Sequence, residues 1–534
     1  MSSRTAADRA VLGARIRTLD PERPWAQAVA MRDGAIVAVG SDAEVREACD
    51  ARTELVDGTG LVIVPGLTDS HLHPVWATDF AVGVSAEGLL DRDAFAAALR
   101  GERERVGPEA IVRAWSVDYA LLGGAMDGAL LAELAGGPAL AVFHDLHTYL
   151  ATPDLLERAG VTGEEQFPDA SEVVVRDGRP TGELREFSAY FRLADRLPGA
   201  SPEARRARVV EVLAELNALG LTGAHVMDGS PGTYDLLREI EARGELTMRL
   251  IVPLWVKPEH GDEHHAEWAG HVGAHGELWR GGTAKFFVDG VVETGTAWLE
   301  EPDADGDGLH AYWPDPQRYA SAVATFADAG FACTTHAIGD RAVRAALDAY
   351  AAAGPPARGL HRIEHLETLG DATLERLAAE SVAASMQPLH MRWRRADGAD
   401  EWARRLGRER VARGFRTGDL LRSGAIVALG SDWPVAPADP RYGLAWARLR
   451  RPPRARDAPV FEPAQRMDAE QALAGYTTAP ARIAGETDRS GRIAPGFRAD
   501  LTGLASDPVA TPADDLVDVP VRLTVVAGRV VHRA

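Results

Sequence analysis

Eight short apolar segments recur through the middle of the chain, at residues 62–67, 222–227, 248–253, 283–288, 332–335, 362–364, 382–386 and 426–429. Each runs into polar or charged residues. Helical periodicity fills several of the intervals, at 202–219, 316–329, 341–353 and 373–380. Such alternation demands a parallel sheet, because a parallel return needs a crossover connection and a helix supplies it. Eight units predict an α/β fold, a (β/α)₈ TIM-like barrel, with its reactive groups gathered at the C-terminal ends of the strands.

The spacing fails once. The interval between the first and second strands is too long for a loop. Residues 75–206 carry strand patterns of their own (110–115, 140–143) and helical ones (92–106, 153–159). They are expected to form an α+β insertion over the barrel mouth. The two ends of the chain read as β-rich. Runs at 28–31 and 35–39 flank Arg32-Asp33-Gly34, and runs at 523–526 and 529–531 flank Ala527-Gly528, both hairpin signals. Residues 1–64 and 486–534 are therefore expected to build one composite β-sandwich domain beside a barrel of residues 65–485.

Composition narrows the function. The net charge of -21 disfavours nucleic acid, whose phosphates need a basic partner. No run reaches the about 20 apolar residues of a membrane span, and the first twenty residues hold no apolar run typical of a signal peptide. Cys49 and Cys333 are the only cysteines, far apart and outside any metal-ligand spacing, which points to a reducing, cytoplasmic setting. Lys257 and Lys285 are the only lysines; every other basic side chain, histidine aside, is arginine. A lysine kept in such a chain is a candidate for chemistry that arginine, which never loses its proton, does not do.

The first strand leads into Thr68-Asp69-Ser70-His71-Leu72-His73-Pro74. In extended backbone His71 and His73 face the same way and can chelate one ion; imidazole suits zinc, iron, nickel and copper. His336 ends the fifth strand, His365 the sixth, and Asp432 follows the eighth. All five converge on one mouth of a barrel. Lys285 lies in the fourth strand, in Lys285-Phe286-Phe287-Val288-Asp289-Gly290. A lysine there must shed its charge or find an anion. Three readings are open: a carbamate (N6-carboxylysine) that binds metal, a salt bridge with Asp289, or a Schiff base.

These stretches together resemble the amidohydrolase superfamily, and their order is most similar to its amidohydrolase-3, YtcJ-like branch, which includes N-substituted formamide deformylases. The resemblance is carried by Pro65-Gly66-Leu67-Thr68-Asp69-Ser70-His71-Leu72-His73, Lys285 to Gly290 with Thr296-Ala297, Thr335-His336-Ala337-Ile338-Gly339-Asp340-Arg341-Ala342, Arg362-Ile363-Glu364-His365, Gln387-Pro388, Ser431-Asp432-Trp433-Pro434, and Gly491 to Leu501. It implies a barrel with a composite sandwich, one or two divalent metal ions, usually zinc, hydrolysis of C–N or C–O bonds, and a homodimer. Two stretches depart from it. Val291-Val292-Glu293-Thr294-Gly295 stands where many relatives carry a Ser- or Arg-containing segment, and Thr148 follows His147 where relatives have Ser.

The expected reaction is cleavage of an amide, formamide or cyclic amide of a small molecule. Hydroxide generated on the metal attacks a carbonyl. Asp432 takes the water's proton and passes it to the leaving amine, and His336 or His365 polarises the carbonyl oxygen. An esterase, decarboxylase or isomerase on the same scaffold, or an inactive relative, are the alternatives. His147, Gln387, Asp340 and Trp433 are candidate substrate contacts or orienting groups. Trp76, Trp115, Phe143 and Trp393 are candidate apolar walls.

Overall fold

The computed structural model describes residues 6–89, 91–123, 126–167, 169, 171–199, 201–395 and 397–534. Its centre is a sheet of eight parallel strands in sequence order. We number them β1 (Leu67–Leu72), β2 (Leu221–Val226), β3 (Arg249–Trp255), β4 (Trp279–Phe287), β5 (Ala332–Ala337), β6 (Arg362–His365), β7 (Ala383–Met386) and β8 (Val427–Leu429). These strands are almost wholly buried, as a sheet covered on both faces must be. The ring closes at its C-terminal rim. Leu72 bridges Trp433, the Asp432 N–H donates to the His71 carbonyl at 2.7 Å, and the His73 N–H donates to the Trp433 carbonyl at 2.9 Å. The backbone that closes the barrel therefore also carries the His-x-His pair and Asp432.

Crossover helices start where the chain supplies caps. Ser201 and Ser230 each accept an N–H of the first turn and are followed by proline; Asp315 does the same before Pro316–Asp328. Asp340–Ala353 begins at Gly339, which is pinned by Asp289 accepting its N–H at 2.8 Å. A Cβ on Gly339 would sit 2.1 Å from the Trp298 carbonyl oxygen, a backbone atom. Gly339→Ala should therefore cost about 1–3 kcal/mol through overpacking. Thermal unfolding checks this; an unchanged midpoint would contradict it.

Two smaller sheets come from both ends of the chain. One has six strands, ordered Arg529–Arg533, Val521–Val526, Leu501–Leu504, Val62–Pro65, Arg15–Arg17 and Trp25–Ala26. The other has four, ordered Ala35–Gly40, Ala28–Arg32, Arg9–Leu12 and Glu54–Asp57. They share a core that includes Val11, Ile16, Val29, Met31, Ile63, Leu501 and Val525.

Here the first expected barrel strand needs correction. The apolar run 62–67 is not one strand. Val62–Pro65 pairs antiparallel with Leu501–Leu504 in the terminal sheet, and the barrel begins at Leu67. The hand-over falls at Gly66, whose N–H donates to the Asp500 carbonyl and whose missing Cβ leaves room for Thr222 Oγ1, 2.2 Å from where it would lie. Hydrophobicity alone does not mark a change of sheet. The shift moves His71 from beyond a strand into β1 itself.

Between β1 and β2 the chain builds a six-stranded mixed sheet, ordered Glu172–Arg176, Arg179–Arg185, Thr148–Ala151, Ala139–Phe143, Val112–Val117 and Val84–Ser85. Helices Arg92–Val106 and Gly128–Ala135 cover it over a separate core around Phe95, Leu99, Leu131 and Phe143.

Candidate metal centre

Parallel register sets the inner wall of the barrel. Lys285 pairs with Thr334, Phe287 with His336, Thr334 with Arg362 and His336 with Glu364. Paired residues in neighbouring strands face the same side, so these side chains share the interior. His365 follows Glu364 directly, and strict alternation would turn it outward. Its φ of +76° breaks the alternation and keeps it buried at the mouth. Asp432 has a φ of +61°. Backbone held in this region costs free energy in a non-glycine residue and collects at functional sites.

Asp432 is the hub. Its Oδ1 lies 3.3 Å from His71 Nε2 and 3.2 Å from His73 Nε2. Its Oδ2 lies 3.4 Å from His390 Nε2 and 3.8 Å from His365 Nδ1. Two buried donor groups result, His71–His73–Asp432 and His365–His390–Asp432, each with ligand atoms within 4.8 Å of one another. Carboxylates stand behind the rings. His71 Nδ1 is 2.7 Å from Glu364 Oε2, His73 Nδ1 is 3.3 Å from Asp228 Oδ1, and His390 Nδ1 is 3.4 Å from Glu367 Oε1. The hydrogen bonds at His71 and His390 fix the tautomer that turns the other nitrogen inward, whereas His73 Nδ1 and Asp228 Oδ1 approach without forming one.

Electrostatics agree with a site built for positive charge. Burial would raise the Asp432 carboxyl, but His71, His390 and His73 hold it well below the usual carboxylate range. Burial would likewise lower His73 and His390, yet their carboxylate neighbours push both up to about 9. His365 moves the other way, well below its ordinary value, because burial and then His336 and His71 disfavour its cation.

Lys285 Nζ is fully buried with no hydrogen-bond partner, 4.8 Å from the Phe287 ring centre. Burial lowers its ammonium to about 8 against the pull of Glu364 and Asp432. The salt bridge with Asp289 does not form. Asp289 instead accepts N–H bonds from Trp298, Ile338 and Gly339 at 2.8–3.1 Å.

Of the six sequence-derived ligands, His71, His73, His365 and Asp432 fall in the donor groups. His336 lies beside them, 4.4 Å from His365 between ring centres, but its Nε2 faces the Gly290 carbonyl at 3.1 Å. The pocket above is walled by Trp76, Phe187, Phe287, Val291, Ile338, Trp393 and Val435. His147 also lines it, with Nδ1 2.7 Å from Glu186 Oε2. Burial alone would lower His147; Glu186 outweighs it and the net shift is upward.

The other expected contacts lie elsewhere. Asp340 begins a helix and accepts the Glu300 N–H at 2.9 Å. Gln387 is buried with its amide lacking a hydrogen-bond partner, and Trp433 is half-buried at the rim. Neither joins the pocket lining. Phe143 belongs to the core of the inserted sheet, and Trp115 packs beside the main core. The residue that sequence reasoning missed is His390, in the turn Pro388–Trp393 after β7. It carries the same signal as the others, a polar side chain just past a strand end.

The profile of the Amidohydrolase family matches residues 54–532. The chain belongs to this family. It is an amidohydrolase, a hydrolase acting on carbon–nitrogen bonds. YtcJ of Bacillus subtilis (strain 168) is 27% identical over 536 residues, covering 97% of this chain and 98% of that protein. The N-substituted formamide deformylase of Arthrobacter pascens is 26% identical over 559 residues, covering 98% and 97%. The crystal structure of a metal-dependent hydrolase from Pyrococcus horikoshii OT3 superposes with a TM-score of 0.75 at 22% identity, over 95% of this chain and 99% of that one. That likeness shows the shared fold of this amidohydrolase.

Proposed function

We propose that this amidohydrolase cleaves the C–N bond of a small N-acyl or N-formyl amine whose substituent is apolar. The observation that carries the reading is the buried histidine set converging on Asp432 beneath a pocket walled by aromatic and aliphatic side chains. The similarity to a formamide deformylase supports the substrate class.

The residues fit a divalent ion. His365 Nδ1, His390 Nε2 and Lys285 Nζ are buried without hydrogen-bond partners, which is costly unless something else engages them. Nitrogen donors with one carboxylate suit zinc. His71, His73, His365 and Asp432 would hold it, and when bound it acidifies water and polarises a carbonyl oxygen.

The chain's own groups do the rest. Asp432 Oδ accepts the proton of the attacking water and returns it to the departing amine nitrogen. His336 is kept neutral by burial and by His147 and Lys285, and its Nε2–H is engaged by the Gly290 carbonyl beside the donor groups. His147, oriented by Glu186, contacts the substrate from the inserted sheet. Trp76 and Phe187 exclude water and receive the apolar substituent. Cys49 and Cys333 are unpaired, in keeping with a cytoplasmic setting.

A panel of N-acyl and N-formyl amines in labelled water tests the reaction. Amine release with solvent oxygen in the acid product is expected; turnover of esters alone would overturn it. Lys285 is the further ligand in this reading, as a carbamate. Lys285→Ala should lower bound metal, and labelled bicarbonate should attach at Lys285 in the parent chain. Unchanged metal content without label uptake would contradict the carbamate.

A further inference from the structure

We propose that the N-terminal face of the barrel carries a seat for a small dianionic oxyanion, held by Arg249, Arg280, Arg358 and Arg498. Arg249 opens β3 and Arg280 follows the first residue of β4, so the seat lies at the end opposite Asp432 and its histidines. The inference goes beyond the hydrolase reading and does not depend on it.

Three observations carry it. The first is charge. Glu486 is buried and shared by three guanidinia. Arg280 Nε lies 3.1 Å and Arg358 Nη2 3.0 Å from its Oε1, and Arg498 Nη1 lies 2.5 Å from its Oε2. Arg249 pairs with Asp500 at 2.9 Å. Four guanidinia thus face two carboxylates. The surroundings do not restore the balance. Arg489 is paired with Asp488 at 3.3 Å, and Arg492 and Glu277 add one charge of each sign. Among the described residues two positive charges are left over here, in a chain whose net charge is -21.

The second is repulsion. Burial and then Arg249 lower the Arg498 guanidinium, ahead of the opposing pull of Glu486. Burial lowers Arg280 as well; Glu486 opposes it, while Arg358 and Arg498 add to the fall. Arginine does not escape such a field by losing its proton. An anion placed among the guanidinia relieves it.

The third is room. A cavity of about 540 Å³ is lined by Arg249, Arg492 and Arg498 together with the hydroxyl residues Thr68, Thr222 and Ser490. A second, of about 610 Å³, shares Arg249, Glu486 and Arg498 with it and adds Arg280 and Arg358. Planar guanidinium donors match the oxygens of a phosphoryl group or a carboxylate. Glu486, Arg498 and Asp500 belong to the segment that returns to the terminal sheets, and the Asp500 carbonyl accepts the Gly66 N–H where the chain enters the barrel. A bound dianion would therefore tie the barrel to the terminal sheets and raise the unfolding temperature by mass action.

Calorimetric titration of the full chain at pH 8 tests the seat, with inorganic phosphate and malonate as separate probes and chloride at matched ionic strength as the control. Saturable binding of one dianion per chain is expected. Phosphate alone would assign a phosphoryl ligand, and malonate alone a dicarboxylate. Arg498→Gln should weaken the bound probe about 10-fold or more. Arg358→Gln, at a side chain 43% exposed in the parent, should weaken it too, with circular dichroism unchanged. If Arg498→Gln fails to fold, Arg358→Gln decides. Neither probe binding better than chloride would overturn the seat. Parent-like affinity in the folded variants would place the anion elsewhere, the donor groups at the barrel mouth included, and would overturn it equally.

Discussion

Asp432→Asn should lower kcat/KM by about 10³-fold or more on any substrate the enzyme turns over. Positioned acid–base groups contribute about 10²–10⁴-fold. Asp432 also lies within 3.2–3.8 Å of four imidazole nitrogens, so the substitution removes the one charge on which they converge. The asparagine side chain has nearly the same shape but offers one acceptor oxygen and no negative charge. Bound metal should fall with activity. Steady-state kinetics with metal analysis of the same samples checks both. Activity within tenfold of the parent would remove Asp432 from its role.

Glu364→Gln should destabilise the fold by about 3–5 kcal/mol, the range for breaking a buried ion pair from one side. Glu364 Oε1 sits 2.7 Å from Arg362 Nε and accepts the Thr334 hydroxyl, while Oε2 holds His71. The substitution leaves the Arg362 guanidinium buried without its counter-charge, beside His225 at 2.7 Å. Denaturant unfolding measures the loss.

The same carboxylate gives a pH dependence. Burial would raise its pKa, but Arg362 and then His71 hold it well below the ordinary value. A carboxyl depressed in the folded state contributes stability above its unfolded pKa of about 4.3. That contribution shrinks as pH falls below this value toward the folded one. The parent should therefore lose stability below about pH 4 more steeply than Glu364→Gln. Equal slopes would contradict the assignment.

Much of this architecture can be read from the chain because parallel strands buried on both faces are short apolar runs, and β2 to β8 lie close to where such runs occur. β1 was displaced because one apolar run, 62–67, serves two sheets, and only tertiary packing at Gly66 and Thr222 separates them. The donor groups were legible where a side chain stands at a strand end, as at His71, His73, His365 and Asp432. It was less legible where partners come from afar. Asp228, Glu186 and Glu367 orient histidines on other segments, and no local pattern announces them. His390 lies in a turn rather than a strand, so counting strand ends passed over it. Asp340 and Trp433 lie near His336 and Asp432 in sequence, but Asp340 accepts a loop amide, Trp433 is half-buried at the rim, and Gln387 is buried outside the pocket lining.

The proposed hydrolase needs a metal centre at the mouth of this barrel. Equilibrium dialysis of the chelator-treated chain against zinc, with His71→Ala/His73→Ala alongside, tests it most directly. At least one tightly held ion per parent chain is expected, and loss of an ion in the double variant, with circular dichroism unchanged. No zinc above background in the folded parent chain, or equal retention by the double variant, would contradict it.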